Sequence, residues 1–181
     1  MKQVVVFLAD GFEEIEGLTV VDLLRRAGVE VVTASVKGEK EINGAHGIIV
    51  MADELIENID YTKIDMVVLP GGMPGTLNLG GSEKVINVVK EFNASGKEIA
   101  AICAAPSIFG DLGILNGKKA VCYPGFEERL TGAEVCEEQV AVDGNVTTSR
   151  GLGTAIPFAL KLIEKLVSVE KAQEVKESII F

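Results

Sequence analysis

The sequence predicts an α/β protein with a mostly parallel sheet covered by helices. Short apolar runs of strand length alternate with segments of helical periodicity, and glycine or proline follows several of these runs. A chain of 181 residues with 48% hydrophobic residues can also bury a large core. No linker, repeat or low-complexity segment divides it, so we expect one domain over residues 1–181.

The composition argues against several classes of protein. A formal net charge of −10 at pH 7 without a basic cluster disfavours binding to nucleic acid or to an anionic membrane. No apolar run approaches membrane-spanning length, and the N-terminus lacks the pattern of a secretion signal. Three cysteines at uninformative spacing favour free thiols over disulfides or a zinc site. We therefore expect a cytoplasmic protein without a metal.

Apolar runs bounded by turn residues predict the strands. These are Gln3–Leu8, Glu30–Val36, Asp65–Leu69, Ile99–Ile102, Ala120–Cys122 and short strands within Gln139–Thr148. Between the second and third strands, Lys37–Val50 contains the turn signal Asn43-Gly44 and predicts a hairpin or an extended excursion.

Helical spacing of apolar residues predicts the helices. The predicted helices are Glu13–Ala27, one with an apolar face from Val85 to Phe92 that ends at Gly96, one opened by Pro106, one over about Gly153–Leu166, and another from Val169. The first has acids in its first turn and arginines in its last, which complements the helix dipole.

Cys103 occupies the turn between the central strand Ile99–Ile102 and the helix opened by Pro106. In such an elbow the side chain points out of the sheet, and the N-terminus of the following helix lowers the pKa of a thiol. The position suits a nucleophile whose pKa lies well below about 8.5. The alternative is an inert cysteine at the end of a core strand.

Two other turns fall at the carboxyl ends of predicted strands, where ligands of parallel sheets bind. They are Ala9-Asp-Gly11 and Pro70-Gly-Gly72, and we expect them to converge with Cys103. Gly71 and Gly72 can leave N–H groups free for an oxyanion, or they can form an ordinary tight turn. Neither turn has the pattern of a phosphate-binding loop or a dinucleotide fingerprint, so no nucleotide cofactor is expected.

Four segments resemble the DJ-one/ThiJ/PfpI superfamily in order and spacing. They are Ala9-Asp-Gly-Phe-Glu-Glu-Ile-Glu16, Leu69-Pro-Gly-Gly72, Ala100-Ala-Ile-Cys-Ala104 and Thr148-Ser-Arg-Gly-Leu-Gly-Thr154. The resemblance covers nearly the whole chain and is closest to the DJ-one branch. It implies a flavodoxin-like three-layer αβα sandwich, a nucleophile elbow and a homodimer. It assigns Cys103 as the nucleophilic cysteine, Glu16 as its hydrogen-bonding glutamate, and Gly72 and Ala104 as oxyanion donors.

Glu16 has two interpretations. Acids are favoured in any first helical turn, so Glu13, Glu14 and Glu16 can all be solvated, and replacing Glu14 by glutamine should do little. If Glu16 instead lies beside Cys103, the two groups form a like-charge pair that must hold a proton. We expect a protonated Glu16 that donates a hydrogen bond to a Cys103 thiolate.

The chain departs from many relatives at Tyr123, which stands where the resemblance leads us to expect a histidine. A tyrosine with a pKa of about 10 is a poor base at neutral pH, although it can donate a hydrogen bond to a substrate. The only histidine, His46, follows the Asn43-Gly44 turn, in a segment that the resemblance places near the dimer interface. His46 is either a base that reaches Cys103, within the subunit or across the dimer, or a solvated hairpin residue.

The resemblance leaves three activities open. In the first, Cys103 adds to a reactive α-oxoaldehyde or an early glycation adduct, as in glutathione-independent glyoxalases and protein deglycases. In the second, Cys103 is oxidised to a sulfinate, and the protein is an oxidative-stress sensor or a redox-regulated chaperone. The third, a cysteine peptidase, is less favoured because the usual histidine is absent.

Overall fold

The computed structural model describes residues 1–181 and contains the predicted alternation of strands and helices. The strands are β1 (Gln3–Leu8), β2 (Glu30–Ser35), β3 (Glu41–Asn43), β4 (Ile49–Met51), β5 (Glu54–Leu55), β6 (Met66–Leu69), β7 (Glu98–Ile102), β8 (Lys119–Ala120), β9 (Glu134–Val135), β10 (Val140–Asp143) and β11 (Val146–Ser149). The helices are α1 (Glu14–Arg26), α2 (Gly75–Gly80), α3 (Glu83–Ser95), α4 (Pro106–Asp111), α5 (Ala155–Leu166) and α6 (Val169–Ser178).

Seven strands form one sheet in the order β10-β11-β7-β6-β1-β2-β5. All neighbours pair in parallel except β10, which is antiparallel to β11. The hairpin β3–β4 and the pair β8–β9 lie outside this sheet. The prediction of a mostly parallel sheet is therefore confirmed.

Alternating side chains of the central strand β1 enter two separate cores, as the period of two along a strand requires. Val4 and Val6 lie in a core built with α1, α5 and α6, whereas Val5 and Phe7 lie in a core built with α3 and α4. Helices therefore cover both faces of the sheet, and the predicted three-layer αβα sandwich is confirmed. None of the helices is long and apolar enough to cross a membrane.

The structure differs from the sequence predictions in short elements. Helix α2 has no counterpart among the predicted helices, because its glycine-rich sequence has weak helical propensity. The predicted strand at Ala120–Cys122 shrinks to β8, which pairs with β9. The predicted hairpin is present, but its turn is wider than the Asn43-Gly44 signal suggests, since the Gly44 N–H donates to the Ile48 carbonyl at 2.9 Å.

The sheet topology determines where a site can form. The chain runs outward from β1 through β2 to β5, and then returns to add β6, β7 and β11 on the other side of β1. This reversal between β1 and β6 is the switch point at which open α/β sheets bind ligands. The loops after β1, β6 and β7 therefore meet at the same edge, as predicted.

Candidate functional site

Cys103 occupies a sharp turn directly after β7. Its φ of 66° lies in the left-handed region, which costs a residue with a side chain about 1–2 kcal/mol. Two backbone hydrogen bonds maintain the turn: the Cys103 N–H donates to the Ser149 carbonyl at 3.0 Å, and the Tyr123 N–H donates to the Cys103 carbonyl at 2.8 Å. The neighbouring strand β11 and the loop at Tyr123 thus fix the direction of the thiol.

Glu16 reaches the thiol from the first turn of α1. Its side chain is 1% exposed, and its carboxyl is in hydrogen-bond contact with Cys103. Gly71 completes the contact because its N–H donates to Glu16 Oε2 at 3.0 Å. A Cβ at Gly71 would lie 2.5 Å from Cys103 Cβ and 2.7 Å from Glu16 Oε2, so only glycine fits there.

The backbone N–H groups of Gly72 and Ala104 lower the pKa of the Cys103 thiol, although burial and Glu16 raise it more. Two converging N–H groups beside a nucleophile can also stabilise an oxyanion that forms on a bound carbonyl compound. Gly71 differs from its assignment by sequence. Because its N–H is already donated to Glu16, it orients the acid rather than binding an oxyanion.

Burial raises the pKa of Glu16 to about 7, although hydrogen bonds from Cys103 and Gly71 oppose this shift and the charge of Glu13 adds to it. Burial and then the Glu16 carboxylate raise the pKa of Cys103 to about 12. The predicted low pKa of this thiol is therefore wrong. The dipole at the start of the short helix α4 contributes less than desolvation beside a like charge.

Glu16 and Cys103 titrate as a coupled pair. Below pH 7 both groups hold a proton, and above it the pair keeps one proton between them. With these pKa values the remaining proton stays on sulfur and Glu16 is the carboxylate, so the predicted resting state of a protonated Glu16 beside a thiolate is wrong. The arrangement lets the carboxylate accept the thiol proton at the moment when the sulfur attacks.

Tyr123 lies at the rim of this pair. Its side chain is 50% exposed, and its ring is so close to Gly151 that a Cβ there would lie 3.2 Å from Tyr123 Cδ2. The same Cβ would lie 3.9 Å from Glu16 Oε1. Tyr123 and Gly151 therefore flank the approach to the acid.

His46 contacts acids rather than Cys103. Its Nδ1 lies 3.0 Å from Glu14 Oε2 and 3.4 Å from Glu13 Oε2, and its side chain is 67% exposed. The hydrogen bond to Glu14 raises the pKa of the imidazole, with the charges of both acids adding to the shift. Within the subunit no hydrogen bond joins His46 to Cys103. A route across a dimer stays a prediction.

Glu14 differs from the sequence interpretation. Its side chain is 2% exposed rather than solvated, and Oε1 accepts the N–H groups of His46 at 2.8 Å and Ile48 at 3.4 Å. Burial raises the pKa of Glu14, but its own backbone N–H, the imidazole and the N–H groups of His46 and Ile48 together lower it more, so the net shift is downward. No sequence signal distinguishes Glu14 from its neighbours, because its partners come from the hairpin.

Glu13, Glu14 and His46 also place one possible metal-ligating atom each within 4.8 Å of one another. Ion pairing already explains this cluster, since the imidazole donates to Glu14. Among the other thiols, burial and then the charge of Glu127 raise the pKa of Cys122 to about 11. Cys122 is buried and Cys136 is partly exposed, and both are free.

Comparisons with known proteins give consistent results. Residues 2–165 match the DJ-1/PfpI family. The chain is 42% identical to the Arabidopsis thaliana DJ-1 homolog B over 96% of this chain, but it spans only 40% of that protein. It is 33% identical to a deglycase of Pyrococcus abyssi over 91% of this chain and 99% of that protein. The structure of oxidized Toxoplasma gondii DJ-1 is 39% identical, with a TM-score of 0.96 over 100% of this chain and 99% of the other. The chain therefore belongs to the DJ-1/PfpI family.

Proposed function

We propose that this chain is an enzyme that uses Cys103 to convert reactive α-oxoaldehydes, or to remove early glycation adducts, without glutathione, metal or another cofactor. The observation that carries the proposal is the buried interaction between the Cys103 thiol and Glu16 around Gly71, with the Gly72 and Ala104 N–H groups acting on the same sulfur. The similarity to a deglycase of Pyrococcus abyssi supports the same class of reaction.

The first step is the addition of sulfur to an aldehyde carbon. Glu16 accepts the thiol proton as the carbon–sulfur bond forms, and the carbonyl π electrons move to oxygen. The Gly72 and Ala104 N–H groups stabilise the resulting oxyanion. Glu16 returns the thiol proton to this oxygen, which gives a hemithioacetal on Cys103 and restores the Glu16 carboxylate for the next step.

The second step is an internal oxidation and reduction. With methylglyoxal, Glu16 removes the proton from the former aldehyde carbon while the adjacent carbonyl oxygen takes up a proton, which gives an enediol. Glu16 then returns its proton to the neighbouring carbon, which becomes the alcohol carbon, as the hydroxyl group on the sulfur-bearing carbon loses its proton and becomes a carbonyl. The hemithioacetal thereby becomes a thioester of lactate on Cys103. Water hydrolyses this thioester, releases lactate and restores the thiol, so no external oxidant or reductant is required.

Tyr123 fits a substrate-binding role in this scheme. It lies at the rim beside Gly151 and can donate a hydrogen bond to a bound carbonyl or hydroxyl group. Peptide hydrolysis is less favoured, because the leaving amine needs a proton donor and no imidazole contacts Cys103 within the subunit.

A second candidate function is oxidative-stress sensing, with or without a redox-regulated chaperone activity. The same contacts favour it: Glu16 and the two N–H groups can hold the oxygens of a Cys103 sulfinate. One solved structure that resembles this chain is oxidized DJ-1 from Toxoplasma gondii.

The proposal includes a homodimer in a reducing compartment such as the cytoplasm. Apolar side chains on the hairpin and on α1 are exposed in the single subunit, namely Ile15, Ile48, Ile49 and Met51. A second copy that buries this patch would remove it from water. All three cysteines are free, as expected in such a compartment. Light scattering of the purified chain tests the dimer.

Lactate formation from methylglyoxal tests the enzymatic proposal. We expect the wild-type protein and Cys136→Ser to form lactate at similar rates, and Cys103→Ser to lose activity by on the order of 10³-fold or more. A wild-type protein that forms no lactate and removes no glycation adduct contradicts the enzymatic proposal. If mass spectrometry of that inactive protein shows selective conversion of Cys103 to a sulfinate under peroxide, the second function is supported instead.

A further inference from the structure

The loop of the β3–β4 hairpin is attached to the start of α1 by one buried carboxylate. Glu14 Oε1 accepts the N–H groups of His46 and Ile48, and Oε2 faces His46 Nδ1 at 3.0 Å. Gly44 lies so close that a Cβ there would be 2.1 Å from Glu14 Oε1. The loop is therefore fitted around the carboxylate, and this fit determines where His46 lies.

The same loop is hydrogen-bonded to the backbone of the segment that precedes α1. The Ala45 N–H donates to the Phe12 carbonyl at 2.8 Å, and the Gly11 N–H donates to the Asn43 carbonyl at 2.7 Å. The next residue, Glu13, donates its N–H to the Gly71 carbonyl at 2.9 Å. Since the N–H of Gly71 donates to Glu16, the hairpin and the Cys103 site share a continuous hydrogen-bonded backbone.

Glu13 is the acid through which the two regions interact electrostatically. Its carboxylate lies 3.4 Å from His46 Nδ1, and its negative charge also acts on Glu16. A cation at His46 offsets that charge at close range, where screening by salt is weak.

We propose that His46 and Glu14 are positioning residues of the Cys103–Glu16 pair: Glu14 fixes the imidazolium beside Glu13, and the imidazolium balances the Glu13 carboxylate. The proposal rests on the function proposed for Cys103, and it gives His46 the role of a counter-ion instead of a base. It predicts that the pH dependence of Cys103 reactivity depends on the positive charge of His46 and not on the ability of His46 to accept a proton.

The other charged groups near this segment already compensate one another. Asp10 accepts the Asn43 N–H at 2.9 Å and pairs with Lys37 at 2.9 Å. Lys37 also lies 3.3 Å from Glu39. Glu13 and Glu14 share the single positive charge of the His46 imidazolium, so the groups that act on Glu16 are Cys103 and a Glu13 carboxylate that His46 balances in part.

The test is the pH dependence of Cys103 alkylation by iodoacetamide in the full chain, followed by mass spectrometry. In His46→Ala the negative charge of Glu13 is no longer offset, so the pKa of Glu16 should rise. We expect the rise in alkylation rate that follows Glu16 ionisation to move to higher pH by about half a unit. His46→Arg should restore the wild-type profile. Glu14→Gln should reproduce part of the shift, since the imidazole loses its anchor.

Lys40→Ala is the matched control. It removes a cation from the same hairpin, but Lys40 contacts Asp53 and Glu54 instead of Glu13. We expect no shift in this variant. An unchanged profile in His46→Ala overturns the proposal, and so does an equal shift in Lys40→Ala.

A failure to rescue by His46→Arg, together with a turnover loss on the order of 10²-fold, overturns the proposal in favour of a general base. Alkylation needs no aldehyde substrate. A shift of the profile in a chain that converts no methylglyoxal therefore supports this inference even if the proposed function fails.

Discussion

Glu14 and Glu16 lie two residues apart on the first turn of α1 and are both almost fully buried, yet their pKa values shift in opposite directions. Burial raises the pKa of each. Glu14 interacts with its own backbone N–H and, from the hairpin, with an imidazole and two N–H groups, and these donors lower its pKa below the ordinary value. Glu16 faces one N–H group and a thiol, so burial dominates and its pKa rises to about 7.

Glu14 and Glu16 are almost equally buried, so burial does not explain the difference between them. The hydrogen-bond partners of each carboxyl group decide whether it stabilises the fold or transfers a proton. Glu14 is a satisfied anion that attaches the hairpin to α1. Glu16 is poised near neutral pH beside a nucleophile, as proton transfer requires. The two roles can be separated by substitution.

Glu16→Gln should give the largest effect among substitutions at these two acids. The amide keeps the size of the side chain but cannot accept the thiol proton, so methylglyoxal turnover should fall on the order of 10²- to 10³-fold. Steady-state kinetics measures the loss. The exposed Glu41→Gln is the control and should keep the wild-type rate. Equal turnover in Glu16→Gln and wild type would remove Glu16 from the mechanism.

Glu14→Gln should act mainly on stability. The amide cannot satisfy all the donors that the carboxylate accepts, and we expect the free energy of unfolding to fall by about 1–3 kcal/mol. Urea denaturation measures the change, with Glu41→Gln again as the control. A loss below about 0.5 kcal/mol would mean that Glu14 does not hold the hairpin.

Gly44→Ala tests the same attachment from the other side. The added methyl group would meet Glu14 Oε1 and displace the loop, which should destabilise the protein by about 1–2 kcal/mol. Gly38→Ala is the matched control, because no atom lies within 4 Å of a Cβ at that position. If both variants are as stable as wild type, the close fit of the loop is not structurally important.

Tyr123→Phe should have the smallest effect. The ring and its contact with Gly151 remain, and only the hydroxyl group at the rim is lost. We expect a less than about threefold rise in the KM for methylglyoxal and an unchanged kcat. A large fall in kcat would instead place the hydroxyl group in the proton chain.

The sequence is sufficient to predict the features that depend on local pattern. The strand Gln3–Leu8 and the turn at Cys103 follow from apolar runs and flanking turn residues, and the structure contains both. Helix α2 is different, because its glycine-rich sequence has weak helical propensity and backbone contacts stabilise it, including the Thr76 N–H to the Gly72 carbonyl at 2.8 Å.

The electrostatics of the site depend on contacts that are distant in sequence. The low pKa predicted for Cys103 considers only the following helix, whereas in the folded protein burial and Glu16, which lies far away in the chain, raise the pKa of the thiol. Glu14 looks like any other acid of a first helical turn until the hairpin folds onto it. Such effects require the tertiary structure.

The rate of Cys103 alkylation as a function of pH, in wild type and in Glu16→Gln, tests the central claim most directly. The Cys103–Glu16 pair should become reactive as Glu16 loses its proton, so the wild-type rate should rise through pH 7. In Glu16→Gln this rise should vanish, and the rate should increase only at the higher pH where the thiol ionises alone. A single rise near pH 8.5 that is the same in both proteins would show that the carboxyl group does not share a proton with the thiol.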